Sequence, residues 1–539
     1  MHLKSKYYIL TFYLGLILLF SCSDSNKDDR EPGKEDNGNG GTTDYVAPTY
    51  ADDYSSIADW TSRNKWNLAN VHDPSVAKCG DYYYMYSTDA SYGNAHEGKG
   101  HFLTRRSKDL VNWEFIGMAM SQTPKWVKEE LNSIRASYGL SPIDSPIYGH
   151  WAPVVRKIND NKYRLYYSIV IDNYIRTGLP NTFDNFDNSW TERAFIGMME
   201  TDDLSSNRWE DKGMVVSSVS DRGDNWYRPN TNTWDGYFKW NAIDPSLVIT
   251  PAGEHWLVYG SWHSGIVALK LNPETGKPDK LESIEDYGQL IIRRDKNNSN
   301  RWQAQEAPEV IYNNETGYYY LFLAYDELSV AYNTRVCRSK NILGPYLGYN
   351  GENITEGAEC FPIVTHPYKF ANHSGWVGIS HCAVFQDPVT NQWYYSSQGR
   401  LPENTNGNPY SNAIMMGHIR AIEWTKDGWP VVMPERYANV PQDEIKEKDL
   451  VGRWENIFLN YNYRALQTSS IVTLKENGKA EGAIKGNWSY DAANKILTIG
   501  EYSLIVKREL DWEANPRVPT IVYAGYTNTG VSIWGKQVN

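Results

Sequence analysis

A short pattern that recurs five times between residues 72 and 395 constrains the fold of this chain more than any other feature. Each copy has a short strand segment, which carries a proline in four cases, followed by a turn and a strand rich in aromatic residues. The copies are His72–Val76 with Asp81–Tyr86, Trp151–Val155 with Lys162–Tyr167, Ile243–Leu247 with His255–Tyr259, Glu306–Val310 with Gly317–Phe322, and His381–Phe385 with Trp393–Tyr395. Their irregular spacing, roughly 60 to 95 residues, is typical of propeller blades with loop insertions.

We therefore predict an all-β fold with a five-bladed β-propeller over residues 59–440, whose innermost strands line a central channel. The prolines suit a strand start or a free edge, because proline cannot donate to a ladder. A β-helix would need shorter and more regular repeats. After a short connection the sequence pattern changes to strands in which charged and apolar residues alternate. This pattern predicts a C-terminal antiparallel β-domain over residues 447–539, either a lipocalin-like barrel or a sandwich.

The N-terminal residues have the features of an export signal. Two lysines precede an apolar run that ends near Phe20 and is too short for a convincing membrane span. The run leads into Leu19-Phe20-Ser21-Cys22, which resembles a bacterial lipobox and predicts a signal peptide over residues 1–21 and lipidation of Cys22. Residues 22–58 are polar and rich in glycine, which predicts a flexible tether. The acidic run after Cys22 resembles the tag of Bacteroidetes surface lipoproteins, so we expect a monomer at the outer membrane, held there by its lipid only.

Composition narrows the classes of function. The net charge of −12 argues against nucleic acid as a partner, because phosphate binding needs clustered Lys and Arg. Aromatic residues make up 14% of the chain, which is typical of β-strands but also suits the binding of sugars, since flat rings stack on their C–H faces. The spacing of four further cysteines fits no metal motif, and we expect them to be free core residues: Cys79, Cys337, Cys360 and Cys382.

Three acidic residues in the first strands of the repeats, Asp73, Asp244 and Glu306, are candidates for catalysis. An Asp-Pro dipeptide alone is usually a turn. Here, however, acids recur at similar places in several repeats, within apolar strands where an unpaired charge would be costly. A propeller would gather them at one channel. Glycosidic hydrolysis needs such a set, with one carboxylic acid to protonate the leaving oxygen and one carboxylate to activate water or attack the sugar. Crowded carboxylates also raise one another's pKa, which helps to keep one protonated.

These segments together are similar to glycoside hydrolase family 43, and within it to the endo-α-1,5-L-arabinanases. The similarity covers about residues 60–440 and is carried by His72-Asp73-Pro74-Ser75, Trp151-Ala152-Pro153, Asn241-Ala242-Ile243-Asp244-Pro245-Ser246, Glu306-Ala307-Pro308 and Asn333-Thr334-Arg335-Val336-Cys337-Arg338-Ser339. The resemblance implies an enzyme that cuts internal bonds of arabinan, or of arabino-oligosaccharides, with inversion of configuration.

The resemblance also implies a role for each site residue. Asp73 would be the general base and Glu306 the general acid, while Asp244 would orient the acid and tune its pKa. His381 would hold a calcium ion that is otherwise coordinated by water, since calcium prefers oxygen ligands. Substrate contacts are implied for Trp151, Asn241 and Trp262.

Two alternative functions and one question of strand register stay open at this point. An exo-acting arabinofuranosidase or β-xylosidase would use the same fold, and the insertions at 89–148 and 172–240 decide whether the site is a groove or a pocket. A non-catalytic glycan-binding propeller is disfavoured because all three carboxylates are present. Finally, alignment of the prolines pairs Asp73 with Ala307, so the sequence does not show whether Glu306 faces the channel.

Overall fold

The computed structural model describes residues 45–88, 99–185, 191–219, 240–262, 265–294, 304–407 and 414–538. The predicted signal peptide, the lipidation site Cys22 and most of the predicted tether lie outside these ranges. Within them, no helix combines the length and the apolar character that crossing a bilayer requires.

Five four-stranded antiparallel sheets form the propeller, as the repeat predicts. Blade 1 contains β1 (His72–Cys79), β2 (Tyr82–Thr88), β3 (His101–Ser107) and β4 (Glu114–Met120). Blade 2 contains β5 (Tyr148–Asn159), β6 (Lys162–Tyr174), β7 (Thr191–Thr201) and β8 (Glu210–Ser217), and a helix α1 (Lys125–Ser137) precedes it. Blade 3 contains β9 (Ser246–Ile249), β10 (His255–Tyr259), β11 (Ile266–Leu271) and β12 (Gln289–Ile292).

The last two blades follow the same order. Blade 4 contains β13 (Gln305–Asn313), β14 (Tyr318–Tyr325), β15 (Asn333–Ser339) and β16 (Ile363–Thr365). After a short strand β17 (Tyr368–Lys369), blade 5 contains β18 (Ala383–Gln386), β19 (Trp393–Gly399), β20 (Met416–Trp424) and β21 (Pro430–Val432). The first strand of each blade contacts the first strand of the next, so β1, β5, β9, β13 and β18 close around the channel. The four cysteines expected to be free are unpaired, and all but Cys79 are buried.

One residue at the start of each first strand has a left-handed backbone conformation that is unusual outside glycine. The five φ angles are 48° at Asp73, 46° at Ala152, 57° at Asp244, 53° at Ala307 and 51° at His381. The repeated proline directly follows this position in the first four blades. Strained backbone of this kind persists where the surrounding structure fixes it, often at functional sites. The propeller therefore builds the same kink five times at one end of its channel.

The C-terminal domain is a closed barrel, which decides between the predicted barrel and sandwich. Its eight strands are β22 (Gly452–Phe458), β24 (Ser470–Leu474), β25 (Lys479–Gly482), β26 (Gly486–Asp491), β27 (Ile496–Ile499), β28 (Tyr502–Asp511), β29 (Val518–Tyr526) and β30 (Ser532–Val538). The barrel closes because β22 pairs with both β24 and β30. The remaining strand, β23 (Gln467–Thr468), instead pairs with β17 of the propeller.

The barrel packs on blade 5 through a buried polar and apolar contact. Nε1 of Trp534 donates to the carbonyl of Val432 at 2.8 Å. Nζ of Lys536, a residue only 2% exposed, lies 3.1 Å from Glu435, 2.8 Å from Asp511 and 2.5 Å from Glu513. This ammonium group occupies the centre of the acidic cluster, so the cluster serves to join the two domains.

The predicted tether is wrong at its C-terminal end, because residues 45–58 pack on the folded domains. Asp52 forms ion pairs with Arg436 at 2.5 Å and with Arg517 at 3.2 Å. The ring of Tyr50 lies 5.3 Å from that of Trp512. These partners lie about 400 residues or more away in the sequence. The polar composition of residues 45–58 therefore could not predict these contacts.

Candidate active site

The predicted catalytic residues meet at one end of the channel, where the first strands begin. Asp73 lies on β1 and Glu306 lies on β13. Asp244 lies two residues before the start of β9, and His381 lies two residues before the start of β18. Because first strands run in the same direction through a propeller, their starts share one face. The fold thus brings together four residues that are separated by as many as 308 positions in the sequence (73 to 381).

Asp73 is held in its charged form. Its Oδ1 lies 2.9 Å from Nδ1 of His381, and its backbone N–H donates to Oε1 of Gln398 at 2.7 Å. Burial opposes the charge, but His381 and a hydrogen bond from Thr88 hold the pKa of Asp73 at about 2. A carboxylate that stays ionised can accept a proton from water, which is the task of a general base.

Asp244 has the opposite protonation preference. It is 5% exposed, and its Oδ2 accepts the N–H of Ala307 at 3.1 Å. Burial, together with the negative charges of Glu306 and Asp73, raises the pKa of Asp244 to about 8. Asp244 therefore holds a proton more readily near neutral pH than an ordinary aspartate does.

Glu306 is fixed by three donors. Oγ of Ser261 and Nε1 of Trp262 donate to its Oε2 at 2.8 and 2.9 Å, and the hydroxyl of Tyr332 donates to its Oε1 at 2.8 Å. Trp262 itself has a left-handed backbone with a φ of 55°. The offset in the sequence is thereby explained: Ala307 takes the kinked position and Glu306, one residue earlier, reaches the acidic group.

Tyr332 and Ser261 are site residues that the motifs did not single out. Tyr332 directly precedes the Asn333–Ser339 segment and is 1% exposed, and Ser261 directly precedes Trp262. Their positions beside recognised segments were the only signal in the sequence. The contact of Tyr332 with Glu306 depends on the return of β14 into β15, and the contact of Ser261 depends on the packing of the end of β10 against β13 of the next blade. No local pattern encodes either arrangement.

Tyr332→Phe should lower kcat/KM on arabinan about tenfold, which corresponds to about 1.4 kcal/mol. This is the size expected when one intramolecular hydrogen bond is removed. Tyr312→Phe, a matched change at the far end of β13, should leave kcat/KM unchanged. Equal rates for the Tyr332 variant and the parent enzyme would show that this bond does not position Glu306.

Two of the three predicted substrate contacts fit the geometry. The side chain of Trp151 is 42% exposed beside the kinked Ala152, as a sugar-stacking ring requires. Trp262 contacts Glu306 directly. Asn241 differs: it is 7% exposed, its Oδ1 accepts from Ser218 at 3.1 Å, and its Nδ2 donates to the carbonyl of Ser261 at 3.1 Å. Asn241 therefore positions the backbone at Ser261, just after β10, and does not present its amide to the substrate.

Glu309 lies deeper in the channel and joins four blades. Its carboxylate accepts from Nη2 of Arg156 at 2.7 and 2.6 Å, from Oγ of Ser246 at 2.8 Å and from the N–H of Val384 at 3.0 Å. The residue is 1% exposed. With its oxygens engaged in this way, Glu309 is suited to hold the blades together and not to exchange protons with a substrate.

The surroundings of His381 fit the predicted metal ligand. Its Nδ1 is bonded to the Asp73 carboxylate, which leaves Nε2 as the ring atom for an ion. Histidines that bind metals usually have their other nitrogen bonded to a carboxylate or carbonyl in this way. His381 is the only predicted protein ligand, so water would supply the remaining oxygen ligands that calcium prefers.

The sequence of the propeller shows which family of proteins the chain belongs to. Residues 68–430 match the sequence model of glycosyl hydrolases family 43, which is more than half of the chain. The chain belongs to glycosyl hydrolase family 43. The barrel of this family 43 protein matches a C-terminal lipocalin-like domain over residues 434–535.

Individual relatives of this family 43 chain span both domains. An extracellular endo-α-(1→5)-L-arabinanase of Thermotoga petrophila is 25% identical over 505 residues, 89% of this chain and 96% of the relative. An extracellular endo-α-(1→5)-L-arabinanase 2 of Bacillus subtilis is 24% identical over 491 residues, 87% of this chain and 93% of the relative. The crystal structure of the endo-1,5-α-L-arabinanase from Thermotoga petrophila RKU-1 superimposes with a TM-score of 0.65 at 25% identity, covering 88% of this chain and 99% of that chain.

Proposed function

We propose that this family 43 protein is an extracellular enzyme that hydrolyses internal α-1,5-L-arabinofuranosidic bonds of arabinan. The observation that carries the proposal is the acidic group at the channel mouth, in which three donors fix Glu306, the pKa of Asp73 is lowered and the pKa of Asp244 is raised. Relatives described as extracellular endo-arabinanases match both the propeller and the barrel, which supports the substrate and the internal mode of cleavage.

Each residue then has a step in an inverting hydrolysis. Glu306, in its protonated form, gives a proton to the leaving glycosidic oxygen, while Asp73 takes a proton from the water that attacks the anomeric carbon from the opposite face. The C–O bond breaks as the new one forms. Ser261, Trp262 and Tyr332 keep Glu306 aimed at the oxygen, and Asp244 is a buried acidic neighbour of both Asp73 and Glu306.

Products released early from linear arabinan test the mode of action. We expect mixed arabino-oligosaccharides in the first minutes, and slower release from arabinoxylan. Arabinose as the only early product would favour the exo-acting alternative. Binding without cleavage of linear arabinan, debranched arabinan or arabinoxylan would favour a glycan-binding propeller.

We also propose that His381 holds a calcium ion at the channel mouth, where the ion would supply positive charge beside Asp73. Prolonged chelation should lower both activity and melting temperature, and calcium should restore them. His381→Ala should lower the melting temperature and abolish its response to calcium. If verified metal removal leaves the melting curve and the rate unchanged, His381 serves only as a hydrogen-bond partner of Asp73.

We further propose that the protein is anchored in the envelope by a lipid on Cys22, which lies outside the described residues. The apolar run and the lipobox-like sequence before Cys22 support this. A Cys22→Ala variant should move from the membrane fraction to the soluble fraction while it keeps its activity. A variant that fractionates with membranes as the parent does would contradict the anchor.

A further inference from the structure

A cleft of about 1060 Å³ lies on the outer side of the propeller, between blades 1 and 2. Its floor comes from β4, the outermost strand of blade 1, and its walls from α1, from the turn before β8 and from the helical turn Trp60–Lys65. None of its lining residues belongs to the acidic group. The outermost strand is three strands from the first, so the cleft is about 15 Å or more from the channel.

The walls of this blade 1–2 cleft are rich in aromatic side chains. Trp60, Trp126, Trp209 and Phe115 line it, and all four are half-buried. Each of the three indoles is held by an edge-on ring: Trp60 by Phe115, and the other two by Phe195 and Tyr86 at 5.9 and 5.4 Å. Rigid, partly exposed rings of this kind suit a ligand with flat C–H faces, such as a sugar.

Positive charge is concentrated at the same cleft, although the chain as a whole carries −12. Four cations line it, Arg63, Lys99, Lys125 and Arg208, against a single lining carboxylate among the described residues. That carboxylate, Asp211, already accepts hydrogen bonds from the Tyr167 hydroxyl at 2.9 Å and from Nε1 of Trp126 at 3.4 Å.

The four cations come from different elements of the cleft lining. Arg63 and Lys99 lie over the Trp60 ring, 5.0 and 5.3 Å from its centroid. Lys125, on α1, and Arg208, two residues before β8, are exposed and also line the cleft. Lys125 is also the first residue of α1, whose first turn contains no acidic residue. The positive end of the helix therefore adds to the field of the cations.

We propose that the blade 1–2 cleft is a second carbohydrate site that binds a carboxylate-bearing segment of a polysaccharide. The sugar rings would lie against the indoles and the carboxylates would face the cations. The choice of a polysaccharide rests on the proposed function, whereas the preference for an acidic one follows from the charges of the cleft. Such a site would hold the enzyme on an acidic polymer while the channel hydrolyses a neutral arabinan chain nearby.

Affinity electrophoresis with the intact protein tests this, with polygalacturonate, neutral linear arabinan or single-stranded polyadenylate in the gel. Polygalacturonate should retard the parent protein, and added salt should weaken the retardation. The Lys125→Gln/Arg208→Gln double variant should bind polygalacturonate at least tenfold more weakly. The matched control, Lys426→Gln/Lys485→Gln, removes two exposed cations elsewhere and should bind as the parent does.

Rates on a soluble linear arabino-oligosaccharide separate this proposal from the proposed function. Both double variants should keep the parent rate, because none of the four residues belongs to the channel. The second site is overturned if the parent is not retarded, if both double variants lose binding equally, or if polyadenylate binds as tightly as polygalacturonate. If the parent protein itself does not cleave arabinan, the proposed function is overturned, but the binding result for the cleft remains valid.

Discussion

Replacement of Glu306 by Gln is expected to lower cleavage of linear arabinan by roughly 10²–10⁴-fold, the contribution of a positioned general acid. The amide keeps the shape of the side chain and can still contact Ser261, Trp262 and Tyr332. It cannot protonate the leaving oxygen, and the sugar alkoxide leaves poorly without a proton.

An aryl arabino-oligosaccharide with an acidic phenol provides the internal control, because its leaving group needs little protonation. The Glu306→Gln variant should lose much less activity on that substrate than on arabinan. Asp73→Ala should lose activity on both, since the attacking water is no longer activated. Equal losses on the two substrates for Glu306→Gln would show that Glu306 is not the general acid. The same would follow if Glu309→Gln, and not Glu306→Gln, showed the dependence on the leaving group.

Replacement of Glu309 by Ala should destabilise the propeller by about 3–5 kcal/mol, the cost of removing one partner of a buried ion pair. The change leaves Arg156, which is 20% exposed, without its carboxylate and deprives Ser246 and the Val384 N–H of an acceptor. Because these groups come from blades 2, 3 and 5, the loss should affect the closure of the whole ring.

The free energy of unfolding in urea measures this effect. Glu476→Ala, at an exposed turn of the barrel, is the matched control and should change stability by no more than about 0.5 kcal/mol. A Glu309→Ala protein as stable as the control would show that inter-blade packing, and not the Glu309 network, keeps the channel closed.

The repeat predicted the propeller because each copy marks a position where the backbone must adopt the same unusual conformation. A residue before proline, in an otherwise apolar strand, marks the left-handed kink that recurs at Asp73, Ala152, Asp244 and Ala307. Where an acid occupies or precedes the kink, the propeller topology suffices to bring it to the channel. For this reason the acidic group was visible in the sequence, whereas its pKa values were not: the lowered pKa of Asp73 and the raised pKa of Asp244 depend on burial and on the charged groups that the fold places beside them.

Contacts that depend on the return of distant segments were not predictable in the same way. Tyr332 reaches Glu306 only after β14 turns back into β15, and Asp52 pairs with Arg436, which follows blade 5, and with Arg517, which lies between β28 and β29 of the barrel. Asn241 was assigned to substrate on its place in a motif, but its two polar atoms bond to Ser218 and Ser261. A motif thus locates a residue near the site without saying which way its side chain faces.

The configuration of the first product tests most directly whether Asp73 and Glu306 act together as base and acid. Proton NMR can follow the new reducing end formed from α-linked linear arabinan before mutarotation mixes the anomers. Attack by a water molecule activated at Asp73, on the face opposite to Glu306, predicts that the β-anomer appears first. Initial appearance of the α-anomer would mean that one carboxylate attacks the sugar itself, and would contradict the inverting mechanism.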